Sequence, residues 1–391
     1  MSQSVVKTIS IDELRPGMVV RQITEQNGSV KVTSSGRVSS QDIITALKKK
    51  GVKKLQVEFP RESTVVPEGK SSKDQNTAKT TFAAEIITAE KLHRKGKYIQ
   101  KVLLDAVGKG LSFDAQIPRE FSQQLVASME RNPEALLCLT KIKEKDDYLL
   151  EHSLNVAVIL ANFARFVGLE DDAVQELAHA GFLHDLGKIQ VSDDILHKPG
   201  RLTDAEMEEM KKHVTYGVEA LASSSIAPDL INIVSEHHER LDGLGYPVGK
   251  KADEISRYGR MLAIADMYDA LTADRCYKAG MSSQKAIKIL LGEAPERLDK
   301  ALLDQFIKCM GVFPVGSLVK LSNQKLAMVL KQNASLAKPV VKVFYSLGGN
   351  HFLEPRDIDL STDTRFQIEH AVVASDYDID FNTFFHRMVQ V

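Results

Sequence analysis

The chain has 391 residues, 43% hydrophobic and 26% charged, with a formal net charge of −1. That balance belongs to a soluble globular protein of two or three domains, long enough to bury a sizeable core. A charge so near zero argues against general DNA binding, so any grip on phosphate must come from a local cluster of cations.

Along the chain, β-like runs at residues 4–9, 18–23 and 55–59 surround a helix predicted over 41–50, with Ser40 as its N-cap and Gly51 just past its end. Residues 1–62 are therefore expected to form a small α/β domain. A linker follows over 63–79, poor in apolar residues and rich in Pro, Gly, Ser and charge. Residues 80–391 form the larger unit, mainly α. Its helical core is expected over about 111–312, where apolar residues recur every three or four positions, as at Leu154, Val158, Ala161 and Ala164. Thr203-Asp-Ala-Glu206 is a capping box predicted to open one helix running to about Ala222, and Pro228 suits the first turn of the next. After Gly311, residues 316–345 alternate in β fashion, with turns at Ser322-Asn323 and Gly348-Gly349, which predicts a β-containing cap over 313–391.

Three cysteines, Cys138, Cys276 and Cys309, are too few and too scattered for a disulfide framework, which suits a reducing compartment. The opening MSQSVVKTIS lacks the apolar core of a signal peptide. The most apolar stretch, Leu154 to Phe166, is interrupted by Asn162 and Arg165. A cytoplasmic location without membrane insertion is expected.

Seven of the eleven histidines fall between His152 and His238, within the helical region. His152, the pair His184-Asp185, His213, the pair His237-His238 and the later Asp266 combine imidazoles with carboxylates. That mixture suits Fe, Mn, Zn or Ni better than Mg or Ca, which prefer oxygen shells. Six or seven ligands exceed one tetrahedral ion and match two ions sharing a carboxylate. His152 shares a helix face with Val156 and Ile159, and His184 with Leu177 and Gly181, where glycine permits close approach. On a helix His237 and His238 would point about 100° apart. His179, His197, His93, His351, His370 and His386 read as ordinary structural or surface histidines.

These segments resemble a known family. His184-Asp-Leu-Gly-Lys188 and His237-His-Glu-Arg-Leu-Asp-Gly-Leu-Gly-Tyr-Pro247 are similar to the two signatures of the HD-GYP branch of the HD phosphohydrolases. Lys198-Pro-Gly-Arg-Leu-Thr203 and the segment from Ala265 to Tyr277 bracket them, and the likeness runs over roughly residues 145–312. Residues 1–62 also look like a small domain often found ahead of HD-GYP domains.

The resemblance implies an HD-type helical bundle with metal ligands at His152, His184, Asp185, His213, His237, His238 and Asp266, Asp185 bridging two divalent ions. Iron or manganese is expected first, nickel or zinc next. Some relatives bind a third metal through a glutamate four positions before the first histidine; here that position is Tyr148, and two metals are expected. The implied activity is metal-dependent hydrolysis of a cyclic dinucleotide, cyclic di-GMP first, to linear 5′-pGpG and, with a second cleavage, GMP. Two such ions would supply a nucleophile near neutral pH and neutralise charge on the phosphate. Lys188 is expected to reach the scissile phosphate, Arg275 and Lys278 to grip phosphate and Tyr246 to contact substrate, while Asp269 would orient a metal-bound water or a ligand histidine.

The alternatives are 3′,3′-cyclic GMP-AMP as substrate, another HD-type nucleotide hydrolase, and a non-catalytic cyclic-dinucleotide sensor or docking module. A homodimer through the helix between Thr80 and Leu111, and signalling partners at the N-terminal domain, complete the expectations.

Overall fold

The computed structural model describes residues 5–11, 14, 19–27, 36–37, 41–59, 79–141, 148–273, 280–373, 376–377 and 379. The chain divides into two compact units, Met1–Gln75 and Asn76–Val391.

In the first unit, β1 (Val5–Ser10), β2 (Val19–Gln26), β3 (Gly36–Arg37) and β4 (Val52–Phe59) form an antiparallel sheet in the order β1-β4-β2-β3, with α1 (Gln41–Lys49) between β3 and β4. Each predicted run is present; the first, β1, keeps its length of 6 residues, while β2 and β4 are longer than expected because their pairing extends past the apolar residues that flagged them. The two-residue β3 carries no periodic signal and was not anticipated. The expected cap Ser40 lies outside the described residues. Ile11, Leu14, Val20, Ile44, Val52, Leu55 and Val57 make this unit's own small core.

The second unit opens with α2 (Phe82–Gly108), α3 (Gln116–Arg131) and α4 (Pro133–Leu139). The helical core therefore begins before residue 111: Ile86, Leu92, Ile99 and Leu103 of α2 are buried in the same cluster as the later helices. Next come α5 (Tyr148–Phe166) and α6 (Asp171–Leu183), packed so closely that a Cβ on Gly181 would lie 2.9 Å from Cα of Ala157. A tight turn of 3-10 helix, Leu186–Gln190, leads to α7 (Asp193–Leu196), α8 (Asp204–Lys211), α9 (His213–Ser223) and α10 (Pro228–Ser235). Thr203 and Glu206 form the predicted capping box. The single helix expected beyond it is two, however. The chain tightens at Lys212, whose N–H donates to Glu209 three residues back, and the carbonyl of Met210 accepts from the His213 ring. α11 (Arg257–Thr272), α12 (Ser283–Glu293) and α13 (Lys300–Met310) complete the bundle.

The cap is a five-stranded antiparallel sheet of β5 (Leu318–Leu321), β6 (Lys325–Lys331), β7 (Val340–Ser346), β8 (His351–Asp359) and β9 (Ile368–Val372), ordered β8-β7-β6-β5-β9. The predicted turns join β5 to β6 and β7 to β8. β6 does not alternate between core and solvent. Leu326, Met328 and Leu330 enter the helical core, while Ala327 and Val329 enter a second core within the cap. No described helix is long and apolar enough to cross a membrane.

Candidate metal centre

The structure brings the seven candidate ligands together. His152 on α5 and Asp266 on α11 project from helix interiors, whereas the other five stand at helix ends or in the turns that follow. Two expectations change here. His184 caps α6 instead of lying on its face, and His237 and His238 sit beyond the last residue of α10. Their rings are 4.1 Å apart, tilted by 43°.

Ligand atoms of His152, His184 and Asp185 lie within 4.8 Å of one another, as do those of His213, His237 and His238. Asp185 stands between the groups. Its Oδ2 is 3.3 Å from His152 Nε2 and 3.4 Å from His184 Nε2, while Oδ1 is 3.6 Å from His213 Nε2 and 3.9 Å from His237 Nε2. Asp266 spans the same gap, with Oδ1 3.0 Å from His152 Nε2 and Oδ2 3.9 Å from His238 Nδ1.

Three of the rings are fixed in the same way. Nδ1–H of His184 donates to the carbonyl of Gly181 at 2.8 Å, that of His213 to Met210 at 2.7 Å, and that of His237 to Val234 at 2.6 Å. In the neutral ring a proton committed at Nδ1 leaves the lone pair on Nε2, which faces the cluster. His152 uses a carboxylate instead: its Nδ1 is 2.8 Å from Asp269 Oδ2.

Burial disfavours charge on every imidazole here. At His213 and His238 it prevails, lowering them to about 4 and about 3, and His237 is lowered too. At His152 and His184 the facing carboxylates outweigh burial; Asp266 and Asp269 raise the first, and Asp185 and Asp266 push the second up to about 10. Asp185 and Asp266 also carry a burial penalty. The facing imidazoles, helped at Asp185 by Lys188, hold both carboxyls well below the usual range. One group is thus a set of neutral imidazoles and the other is rich in carboxylate.

His184 Nε2 and Asp185 Oδ1 are buried without a hydrogen bond. Such atoms are costly to leave unsatisfied. Convergent imidazole nitrogens and carboxylate oxygens are the donor set of a divalent transition metal, and the residues present fit one.

Lys188 Nζ donates to Asp185 Oδ2 at 2.6 Å from the 3-10 turn. Tyr246 is half-buried over His238, ring centroids 4.7 Å apart. Arg275 and Lys278 lie outside the described residues. Glu151 belongs to neither ligand group and pairs with Lys97 of α2 at 3.3 Å. His179 is buried in α6, lowered by burial to about 4, and belongs to neither ligand group.

The HD domain matches residues 137–302, and a domain of unknown function (DUF3391) matches residues 6–116. The cyclic di-GMP phosphodiesterase PA4108 of Pseudomonas aeruginosa is 32% identical over 374 residues, 91% of this chain and 89% of that protein. The chain belongs to the HD-GYP family. Other HD-GYP relatives match over a shorter span. The cyclic di-GMP phosphodiesterase response regulator RpfG of Xanthomonas campestris is 35% identical over 48% of this chain and 51% of its own length. The 3′3′-cGAMP-specific phosphodiesterase 3 of Vibrio cholerae is 36% identical over 44% of this chain and 38% of its own length. Among solved structures, Bd1817, an HDG"Y"P protein from Bdellovibrio bacteriovorus, shares the fold at a TM-score of 0.51 and 15% identity, covering 78% of this chain and 99% of that one.

Sequence reasoning passed over Glu239 and Glu236, buried carboxylates that organise the turn after α10. Their adjacency to the histidine pair was the available signal.

Proposed function

We propose that this HD-GYP protein hydrolyses cyclic di-GMP to linear 5′-pGpG, with GMP arising from a second cleavage, using two divalent ions, iron or manganese before nickel or zinc. The observation that carries this reading is Asp185, a buried carboxylate with one oxygen toward each histidine group. His152, His184, Asp185, His213, His237, His238 and Asp266 would hold the ions, which when bound would supply a nucleophile near neutral pH and offset charge on the phosphate.

The chain's own residues do the rest. Asp269 orients His152, Tyr246 lines the site beside His238, and Lys188 presents an ammonium that can pass from Asp185 to a phosphate oxygen. Arg275 and Lys278, carried over from the family pattern, complete the phosphate grip. We take residues 80–391 as the catalytic part, 63–79 as a linker and 1–62 as a domain for signalling partners, with the whole chain as a homodimer.

The full-length likeness to a cyclic di-GMP phosphodiesterase favours that substrate. A second reading, 3′,3′-cyclic GMP-AMP, draws on relatives such as one that matches 44% of this chain. Turnover of the manganese- or iron-loaded protein on both dinucleotides side by side, products resolved by chromatography, decides between them. Linear product abolished by chelation is expected, with cyclic di-GMP the faster substrate. Replacing His184 and Asp185 together by alanine is expected to remove bound metal and turnover; retained turnover would sink the assignment. Binding without turnover by the loaded wild type would make the chain a sensor.

A further inference from the structure

His238 is the most exposed of the ligand histidines whose exposure bears on the site: its side chain is 26% exposed, against 1% or less at His152, His184, His213 and His237. Tyr246 covers it, on a loop that hydrophobic burial does not hold down. The loop's large apolar side chains, Leu244 and Val248, are 74% and 75% exposed. Its polar root is built differently. Glu239, 4% exposed, accepts from the backbone N–H of Val248 at 2.8 Å, of Gly249 at 3.1 Å and of Lys250 at 2.9 Å. The Tyr246 N–H donates to the His238 carbonyl at 3.2 Å. The loop returns so tightly that a Cβ on Gly245 would lie 2.6 Å from Glu239 Cα. Hydrogen bonds to an ionised carboxylate are roughly twice as strong as neutral ones, so this clamp holds the loop alongside the Arg240–Asp242 and Lys250–Glu236 ion pairs.

We propose that Glu239 is a positioning residue for the metal centre: by gathering three successive amides it folds the 242–250 loop onto its root and keeps Tyr246 over His238. The carboxylate touches neither substrate nor metal. It acts through Tyr246, and only its activity readout rests on the proposed reaction.

The chain contains no tryptophan, so Tyr246→Trp places a single indole emitter over His238. Adding Glu239→Gln, which exchanges a carboxylate oxygen for an NH₂ facing N–H donors, is expected to red-shift the emission and increase quenching by acrylamide. Unchanged emission and quenching in a folded double variant would overturn the proposal. Should Glu239→Gln not fold, hydrogen–deuterium exchange of the wild type decides. Protected amides at residues 248–250 are expected, and exchange at the rate of an open loop would overturn it.

On cyclic di-GMP, Glu239→Gln is expected to lower kcat/KM about tenfold, as outer residues of metal sites typically do. Added to Tyr246→Ala it should lower it no further; an additive loss would overturn action through Tyr246. Absence of turnover by the wild type counts against the reaction alone, because the fluorescence and exchange readouts need no substrate.

Discussion

Histidine beside a helix end can fold its ring back onto the carbonyl three residues earlier, and His184, His213 and His237 each do so. The arrangement settles tautomer and ring direction with a local bond. His152 lies within a helix, where its own carbonyls are taken, and relies on Asp269 across 117 residues of chain. Asp269→Asn keeps the shape but removes the anionic acceptor. It is expected to weaken metal binding or kcat/KM by about 10–100-fold with little change in thermal stability, measured by manganese titration and melting curves. An equal loss of stability would make Asp269 a folding residue instead. The candidate cluster was legible because HD, HH and lone His and Asp recur in an ordered pattern. The ring anchors were not, since a backbone carbonyl has no letter in the sequence.

Between elements, α2 and α3 are joined by a partly buried ion pair. Glu85, 2% exposed, accepts from Arg131 at 2.7 and 2.8 Å and from Ser128 at 2.7 Å. Burial alone would raise its carboxyl; the Arg131 and Ser128 bonds outweigh burial and hold it below the ordinary 4.5. The unfolded chain therefore takes up this proton first as pH falls. The pair's contribution is whole above about pH 4.5 and is lost as pH drops through the folded value. Glu85→Gln is expected to cost about 2 kcal/mol at neutral pH, less than a fully enclosed pair because Arg131 is partly exposed. The difference from wild type should vanish in acid, as read by urea unfolding across pH; a constant difference would assign the effect to packing. Helices were the most legible elements, their apolar spacing being locally written. The break at Lys212 was hidden from apolar spacing, because its cause is a side chain bonding backward; the poor helix formers His213-Val-Thr-Tyr-Gly217 just after it were the one local sign.

Across the whole molecule, each unit has its own core, and the first rests on few side chains. Leu55→Ala, at a fully buried position on β4, is expected to cost that unit about 2–5 kcal/mol. Hydrogen exchange should quicken in β1, β2 and β4 while metal content stays unchanged; loss of metal would show that the small unit supports the centre. The order of units was legible from composition. The reach of α2 into the core was not, since its burial depends on partners distant in sequence. β6 adds a matter of timing. It has no solvent face, and its residues Leu326, Met328 and Leu330 close one side of the bundle that carries the histidines. During synthesis those helices emerge first and leave that apolar side open until the strand follows. The nascent chain thus passes through an interval in which the bundle exists but one of its apolar sides is uncovered, and a ribosome stalled there would present a sticky, unfinished surface to the cell.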